Sequence, residues 1–294
     1  MSTSATPRPL DHLVLPTADL GIARDRLSVL GFTVAPVGVH PFGTENACVY
    51  LADNTFLEPL VVGDAAKVKE AVATKNVFVA RDRQFRTRNG EEGLSAVVFG
   101  TDDADADHKT FVEAGVSAGD RLDFSRPFTD ASGKADMASF RLAFAAEADA
   151  PDAFFFTCQR ANVPQVDRSA LQAHANGARR IVSVVACADD PASHARFFEA
   201  VANAEALPAA NGRIQVSLPN AAIELVDPAT FMADTGIEAP AGTLRLAAVV
   251  FGVASLTQTE KLLRANVIEF DHCGSRLIVP SAPGQGAIFV FEEL

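Results

Sequence analysis

Three side chains in the first part of the chain have the types and spacing to do chemistry. His12 lies in LDHLVLP and Glu58 in TFLEPLV, each a polar residue among apolar neighbours, and His40 stands just before a turn marked by Gly43. A carboxylate is almost never buried without a partner or a metal, so Glu58 inside an apolar run asks for a positive counter-group. Histidine can serve as a metal ligand or as a proton carrier near neutral pH. A lone histidine on an apolar strand is ordinarily a core residue with one hydrogen-bond partner, and one at a turn is ordinarily solvated. Glu58 shifts the reading of His12 toward a pair that lines a cavity.

The elements that must position these residues follow from periodicity. Residues 10–60 read as strand, short helix (19–30), then three strands, FTVAPVGVH, ENACVYL and TFLEPLV. On the first strand Leu10, His12 and Val14 are expected on one face and Asp11, Leu13 and Leu15 on the other. Asp19 reads as the helix N-cap, Ala23, Leu27 and Leu30 as its buried stripe, and Gly31 as its stop. After a charged helical connector at 64–92 the same order returns: LSAVVFG at 94–100, a helix at 106–114 ended by Gly115, and strands near 121–126, 138–144 and 153–159. A polar bridge at 160–176 leads to ARRIVSVVACADDP, in which Asp190 and Pro191 start a helix, followed by RIQVSLP and AAIELVD. The last unit runs from LAAVVFG through a helix opened by the capping box Ser255 to Gln258, then VIEFD, SRLIVPS and AIFVFEE.

The repetition is visible in the letters. LSAVVFG at 94–100 returns at 246–252 as LAAVVFG with one change in seven, and VYLADNTFLE, ending at Glu58, returns as VSLPNAAIE, ending at Glu224. Duplication accounts for the shared order and both matches better than a chance likeness of apolar strands. The expectation is an α+β fold of four tandem βαβββ modules at 10–61, 94–159, 178–227 and 243–294. A disordered arm at 1–9 precedes two domains, 10–165 and 166–294.

Composition narrows the partners. A formal net charge of -12 repels phosphates and argues against nucleic acid and anionic membrane surfaces. No stretch approaches the roughly 18 apolar residues of a membrane span, and the opening MSTSATPRP has no apolar core of a signal peptide. Cys48, Cys158, Cys187 and Cys273 have no paired spacing and read as free thiols of a cytoplasmic protein. Phosphate-cradling Walker and G-x-G-x-x-G loops, G-x-S-x-G elbows and H-E-x-x-H helices are absent from the sequence.

On LDHLVLPTADL, on His40 followed by GTENACVYLADNTFLEPL, and on HANGARRIVSVV at 174–185, the chain resembles the vicinal oxygen chelate superfamily and, within it, the glyoxalase-like proteins. The resemblance implies modules paired into two glyoxalase/bleomycin-resistance-like domains, each a curved mixed sheet around a cavity with helices outside. It implies a divalent metal held by inward side chains of first and last strands, here His12 and Glu58, with His40 as a third ligand or a general acid or base. Zinc, nickel, iron and manganese all suit such ligands. The ligand or substrate would be a small molecule, and homodimers accompany this architecture.

The chain also departs from the pattern. Ala96 stands where the second module would offer a ligand, and its last strand offers only Thr157, Cys158 and Gln159. Ser183 replaces the histidine in the third module, where Glu224 remains and would need a partner such as an arginine, and Ala248 fills the fourth. Gln159 is the best remaining neutral ligand or substrate donor. Arg126 and Arg141 are candidates to anchor an anionic substrate, although solvated arginines are the ordinary case. Phe155 is a candidate cavity wall, with core packing as the plainer account. His108, His174, His194 and His272 read as surface residues. Two classes of function follow: a metal-using lyase, isomerase or dioxygenase in the first domain, or a metal-free protein that sequesters a small molecule or serves as an interaction module.

Overall fold

A computed structural model describes residues 6–129, 135–163, 166–239 and 243–294, and the counts below refer to these. The first half runs β1 (Leu10–Pro16), α1 (Leu20–Val29), β2 (Gly38–Val39), β3 (Thr44–Asn46), β4 (Val49–Tyr50), β5 (Phe56–Val62), α2 (Ala65–Ala73), α3 (Val77–Asn89), β6 (Ala96–Thr101), α4 (Ala104–Glu113), β7 (Leu122–Thr129), β8 (Ala135–Ala145) and β9 (Phe154–Asn162). The second runs β10 (Ala178–Cys187), a 3-10 turn (Pro191–His194), α5 (Ala195–Ala202), β11 (Ala206–Pro208), β12 (Ile214–Ser217), β13 (Ala222–Val226), α6 (Pro228–Thr235), β14 (Arg245–Val253), α7 (Leu256–Ala265), β15 (Asp271–Cys273), β16 (Arg276–Val279) and β17 (Ile288–Glu293). No helix among these residues is long and apolar enough to cross a membrane. The expected break near residue 165 falls outside the described residues.

Each half is one mixed sheet built from two modules, so units one and two pair, and units three and four pair. The strand order is β2-β3-β5-β1-β6-β9-β8-β7, with β4 beside β5, and then β11-β12-β13-β10-β14-β17-β16-β15. The repeat holds in register. His12 faces Phe56 and Val14 faces Glu58 across β1 and β5, as Ser183 faces Ala222 and Val185 faces Glu224 across β10 and β13.

Alternation divides each sheet between two cores. One face of the first sheet, carrying Leu13, Leu57, Val97 and Phe155, joins Leu27 of α1 and Phe111 of α4 in a single core. That core also holds Phe197 and Phe198 of α5 and Phe251 and Phe289 of the second sheet. These helices, α1, α4 and α5, therefore lie outside the curled sheets but are enclosed between the halves. The other face, carrying Val14, Leu60, Val98 and Phe156, curves over Phe78 and Val79 of α3. The corresponding face of the second sheet is filled by its own helix, with Phe231 of α6 packed among Val185, Val226 and Val250.

Several local expectations change for identifiable reasons. The strand expected at 32–40 is reduced to β2, because Pro36 brings no N–H and Arg24 of α1 donates to the Val34 and Ala35 carbonyls. The strand expected at 45–51 splits into β3 and β4 opposite Pro59, whose missing N–H interrupts the ladder. Ser255 caps α7 without a side-chain hydrogen bond, and the Glu293 carboxylate accepts from Leu256 N at 2.7 Å instead. His194 is buried rather than on the surface, its Nδ1 2.5 Å from Glu147 of the first half. His174 is half-buried between Thr33 N and the Tyr50 carbonyl.

Candidate functional site

The concave face of the first sheet borders a cavity with about 850 Å³ of empty space, counted out through its open mouth. Six phenylalanines line it: Phe42, Phe56, Phe78, Phe124, Phe140 and Phe156. Set into this apolar wall are Asp11, His12, His40, Asn46 and Glu58, together with Arg126, Arg160, Arg168, Cys48, Tyr50 and Cys158.

A break in register brings Asp11 to this face. The pairing of β1 with β6 shifts between Leu10 and His12, so Leu10, expected beside His12, packs in the core with Leu13 and Leu15. Successive strand residues ordinarily point to opposite faces, but a bulge sets two of them together. Asp11 Oδ1 thus lies 2.6 Å from His12 Nδ1 and accepts from Arg160 Nη2 at 2.9 Å.

His12 Nε2 faces the other way and stands 3.4 Å from Glu58 Oε2. Its ring lies flat on Phe56, centroids 4.3 Å apart, with the edge of Phe156 at 5.9 Å. The second Glu58 oxygen accepts from Asn46 Nδ2 at 2.5 Å and lies 3.7 Å from His40 Nε2. The far nitrogen of His40 sits 2.9 Å from Thr44 Oγ1, and the ring stacks on Phe42 at 5.0 Å. Both imidazoles are held from behind and turn their Nε2 atoms toward one buried carboxylate.

Burial and charge set the protonation states. Burial would raise Glu58, but the hydrogen bond and charge of His12, with His40 and Asn46, hold it down at about 2. Burial would lower His12, but Asp11 and Glu58 outweigh it and raise its pKa. Asp11 is likewise lowered against burial by His12 and Arg160. Burial, partly opposed by Glu58, lowers His40 to about 4 and keeps it neutral at pH 7. Burial and the nearby Glu58 push the Cys48 thiol up to about 12, so it stays protonated.

The donor types fit a divalent ion: two imidazole nitrogens fixed by hydrogen bonds on their far side and one carboxylate. Their spacing is that of a hydrogen-bonded cluster, and among the described residues no group of three or more His, Cys, Asp or Glu side chains forms a ready metal cage. At the two corresponding positions the second module adds no donor. Ala96 faces Val14 and Phe156 faces Val98, so an alanine and a phenyl ring occupy the positions that His12 and Glu58 hold in the first.

Of the residues singled out in sequence, His12, His40, Glu58 and Arg126 meet in the cavity. Three do not. Gln159 lies outside it, donating to the Asp102 carbonyl at 2.6 Å and accepting from Ala104 N at the start of α4. Arg141 faces Asp123 across β7 and β8 and points away, toward Asp105 and Asp123, because Arg126 and its partner Ala138 have the opposite parity. Phe155 packs against Phe197 and Phe198 in the core between the halves, and Phe156 takes the cavity face. Glu224 has the expected arginine, Arg213 Nη1 at 3.0 Å. Asp11, Asn46, Arg160 and Arg168 were not anticipated; the only sequence signal for Asp11 was its place beside His12.

A profile of the family described as a glyoxalase-like domain matches residues 10–202. No curated protein matches the chain by sequence. Among solved structures, a hypothetical protein from Staphylococcus aureus is 15% identical with a TM-score of 0.66, covering 97% of this chain and 99% of its own. A variant of 4-hydroxymandelate synthase from Streptomyces coelicolor is 15% identical with a TM-score of 0.63, over 98% of this chain and 93% of its own. The Mn(II)-bound glyoxalase from Novosphingobium aromaticivorans is 10% identical with a TM-score of 0.53, over 98% and 83%. Likeness at these identities speaks to the fold.

Proposed function

The chain belongs to the family of glyoxalase-like domains, and from that premise we propose that it is a small-molecule enzyme working in the cavity of its first sheet. The observation that carries this reading is the convergence of His12 and His40 on the buried Glu58 carboxylate. Folds of this kind include a synthase and a metal-bound glyoxalase, which supports a reaction of lyase, isomerase or dioxygenase type.

His12, His40 and Glu58 would hold a divalent ion such as zinc, nickel, iron or manganese, and the ion would supply Lewis-acid polarisation of a carbonyl or enediolate oxygen. The chain's own residues do the rest. Asp11 fixes the His12 ring through Nδ1, Thr44 does the same for His40, and Asn46 orients the Glu58 carboxylate. Glu58 stays anionic and His40 neutral, the states in which each can coordinate an ion or accept a proton. The phenylalanine wall excludes water around them.

A second reading is a metal-free binding protein. It draws on the pairing of His12 with Glu58 and on the second module's Ala96 and Phe156. Elemental analysis of protein purified without chelator or affinity tag separates the two. We expect about one equivalent of a transition metal per chain, absent from a His12→Ala Glu58→Ala variant. A wild type that takes up no zinc, nickel, iron or manganese would sink the chelate chemistry and leave the binding protein.

A further inference from the structure

The charges around the cavity do not balance. Asp11 is shared by His12 and Arg160, and Glu58 by His12, His40 and Asn46. Arg126 and Arg168 line the same space, and among the described residues neither has a carboxylate within 4.0 Å. This is notable in a chain with 37 acidic residues against 25 basic ones. Each guanidinium is held by a ring instead: Arg168 lies over Tyr50 at 4.8 Å and Arg126 over Phe140 at 5.9 Å. A cation stacked on a ring face is positioned without spending its N–H edge, which stays available for a planar anion. A β-carbon at Gly38 would meet both the Arg126 guanidinium and the Asn46 amide, so the glycine lets these two side chains lie close to the strand.

We infer that the cavity takes a small organic anion with a flat apolar body, its acidic group held by Arg126 and Arg168 and its other end turned toward His12 and Glu58. The inference rests on the cavity being a small-molecule site and specifies the class of molecule. The body fits between rings such as Phe56, Phe124 and Phe156, and a carboxylate and a phosphate share the chemistry that the arginines recognise.

The test reads binding rather than turnover. Tyr50 is the single tyrosine and the chain has no tryptophan, so tyrosine emission reports on this cavity, with calorimetry as a second readout. Full-length protein, its metal content recorded, is titrated with phenylacetate, its neutral isostere phenylacetamide, phenyl phosphate and inorganic phosphate. We expect phenylacetate or phenyl phosphate, whichever acid the site prefers, to bind roughly 10-fold or more tightly than phenylacetamide. The Arg126→Gln Arg168→Gln variant should lose that preference and unfold at the wild-type temperature. Equal binding of phenylacetate, phenyl phosphate and phenylacetamide, no saturable binding by any of them, or a preference that survives in the variant overturns the inference. Inorganic phosphate binding as tightly as the aromatic acids overturns the flat body. A wild type that prefers the acid but holds no metal sinks only the chelate chemistry, whereas one that holds metal without the preference sinks only this inference.

Discussion

Asn46 is the residue on which the geometry of Glu58 most depends. It is buried, and its amide donates to a buried carboxylate at 2.5 Å. A hydrogen bond to a charged group contributes about 1.5–3 kcal/mol, and its loss leaves the charge short of a donor. Asn46→Ala should therefore lower the unfolding free energy by about that amount, read from urea midpoints at an unchanged slope. An effect below about 0.5 kcal/mol would mean that Glu58 is held by the histidines alone. At this scale the sequence was legible where a polar residue interrupts an apolar run, as His12 and Glu58 do. Asn46 was not legible, because ENACVYL gives no reason to prefer its inward face until Pro59 is seen to break the ladder opposite it. Arg160 and Arg168 were missed for another reason: they fall in the polar stretch 160–176, where nothing periodic in the sequence says which way a side chain turns, although Arg160 still belongs to β9.

At the scale of elements, the parity of β8 and β9 decides which residues can matter to a ligand. Phe155 faces the core between the halves and is fully buried, so Phe155→Ala should cost about 3–5 kcal/mol as a loss of stability. Arg141, half-exposed among aspartates on the outer face, should tolerate Arg141→Gln within about 0.5 kcal/mol and with ligand affinity unchanged. A change in phenylacetate binding by Arg141→Gln would contradict the assigned face. The order of most strands and helices was readable from alternation, caps and the internal repeat; β11 and α6 were not, and which modules pair is seen only in the strand order of the sheets. The bulge at Leu10 and His12 was not readable, because alternation assumes an unbroken register. That one shift turns Asp11 from an outward residue into the partner of both His12 and Arg160.

At the scale of the whole molecule, the two sheets share one core, and the chain should unfold in a single transition seen alike by far-ultraviolet dichroism and by Tyr50 emission. A titratable contact bridges the halves. His194 Nδ1 meets Glu147 while Nε2 meets the Thr243 carbonyl. The Glu147 hydrogen bond, against the pull of burial, raises the imidazole above its ordinary 6.5. A group raised on folding stabilises fully below its unfolded pKa, and the contribution is lost as pH climbs through the folded value. Urea midpoints should therefore fall as pH rises from 6.5, and Glu147→Gln should flatten that decline; an equal slope in the variant would remove His194 as its source. The second sheet bears on the first in one more respect. At the position of Glu58 it keeps Glu224, and Arg213, pinned also to Asp234 of α6, supplies the cation. The molecule thus contains the same carboxylate twice, once partnered by a guanidinium and once by the imidazole of His12, whose affinity for a proton Asp11 and Glu58 raise. Whatever displaces His12 would leave a buried carboxylate without that partner, so the newcomer must arrive positive or bring a proton with it.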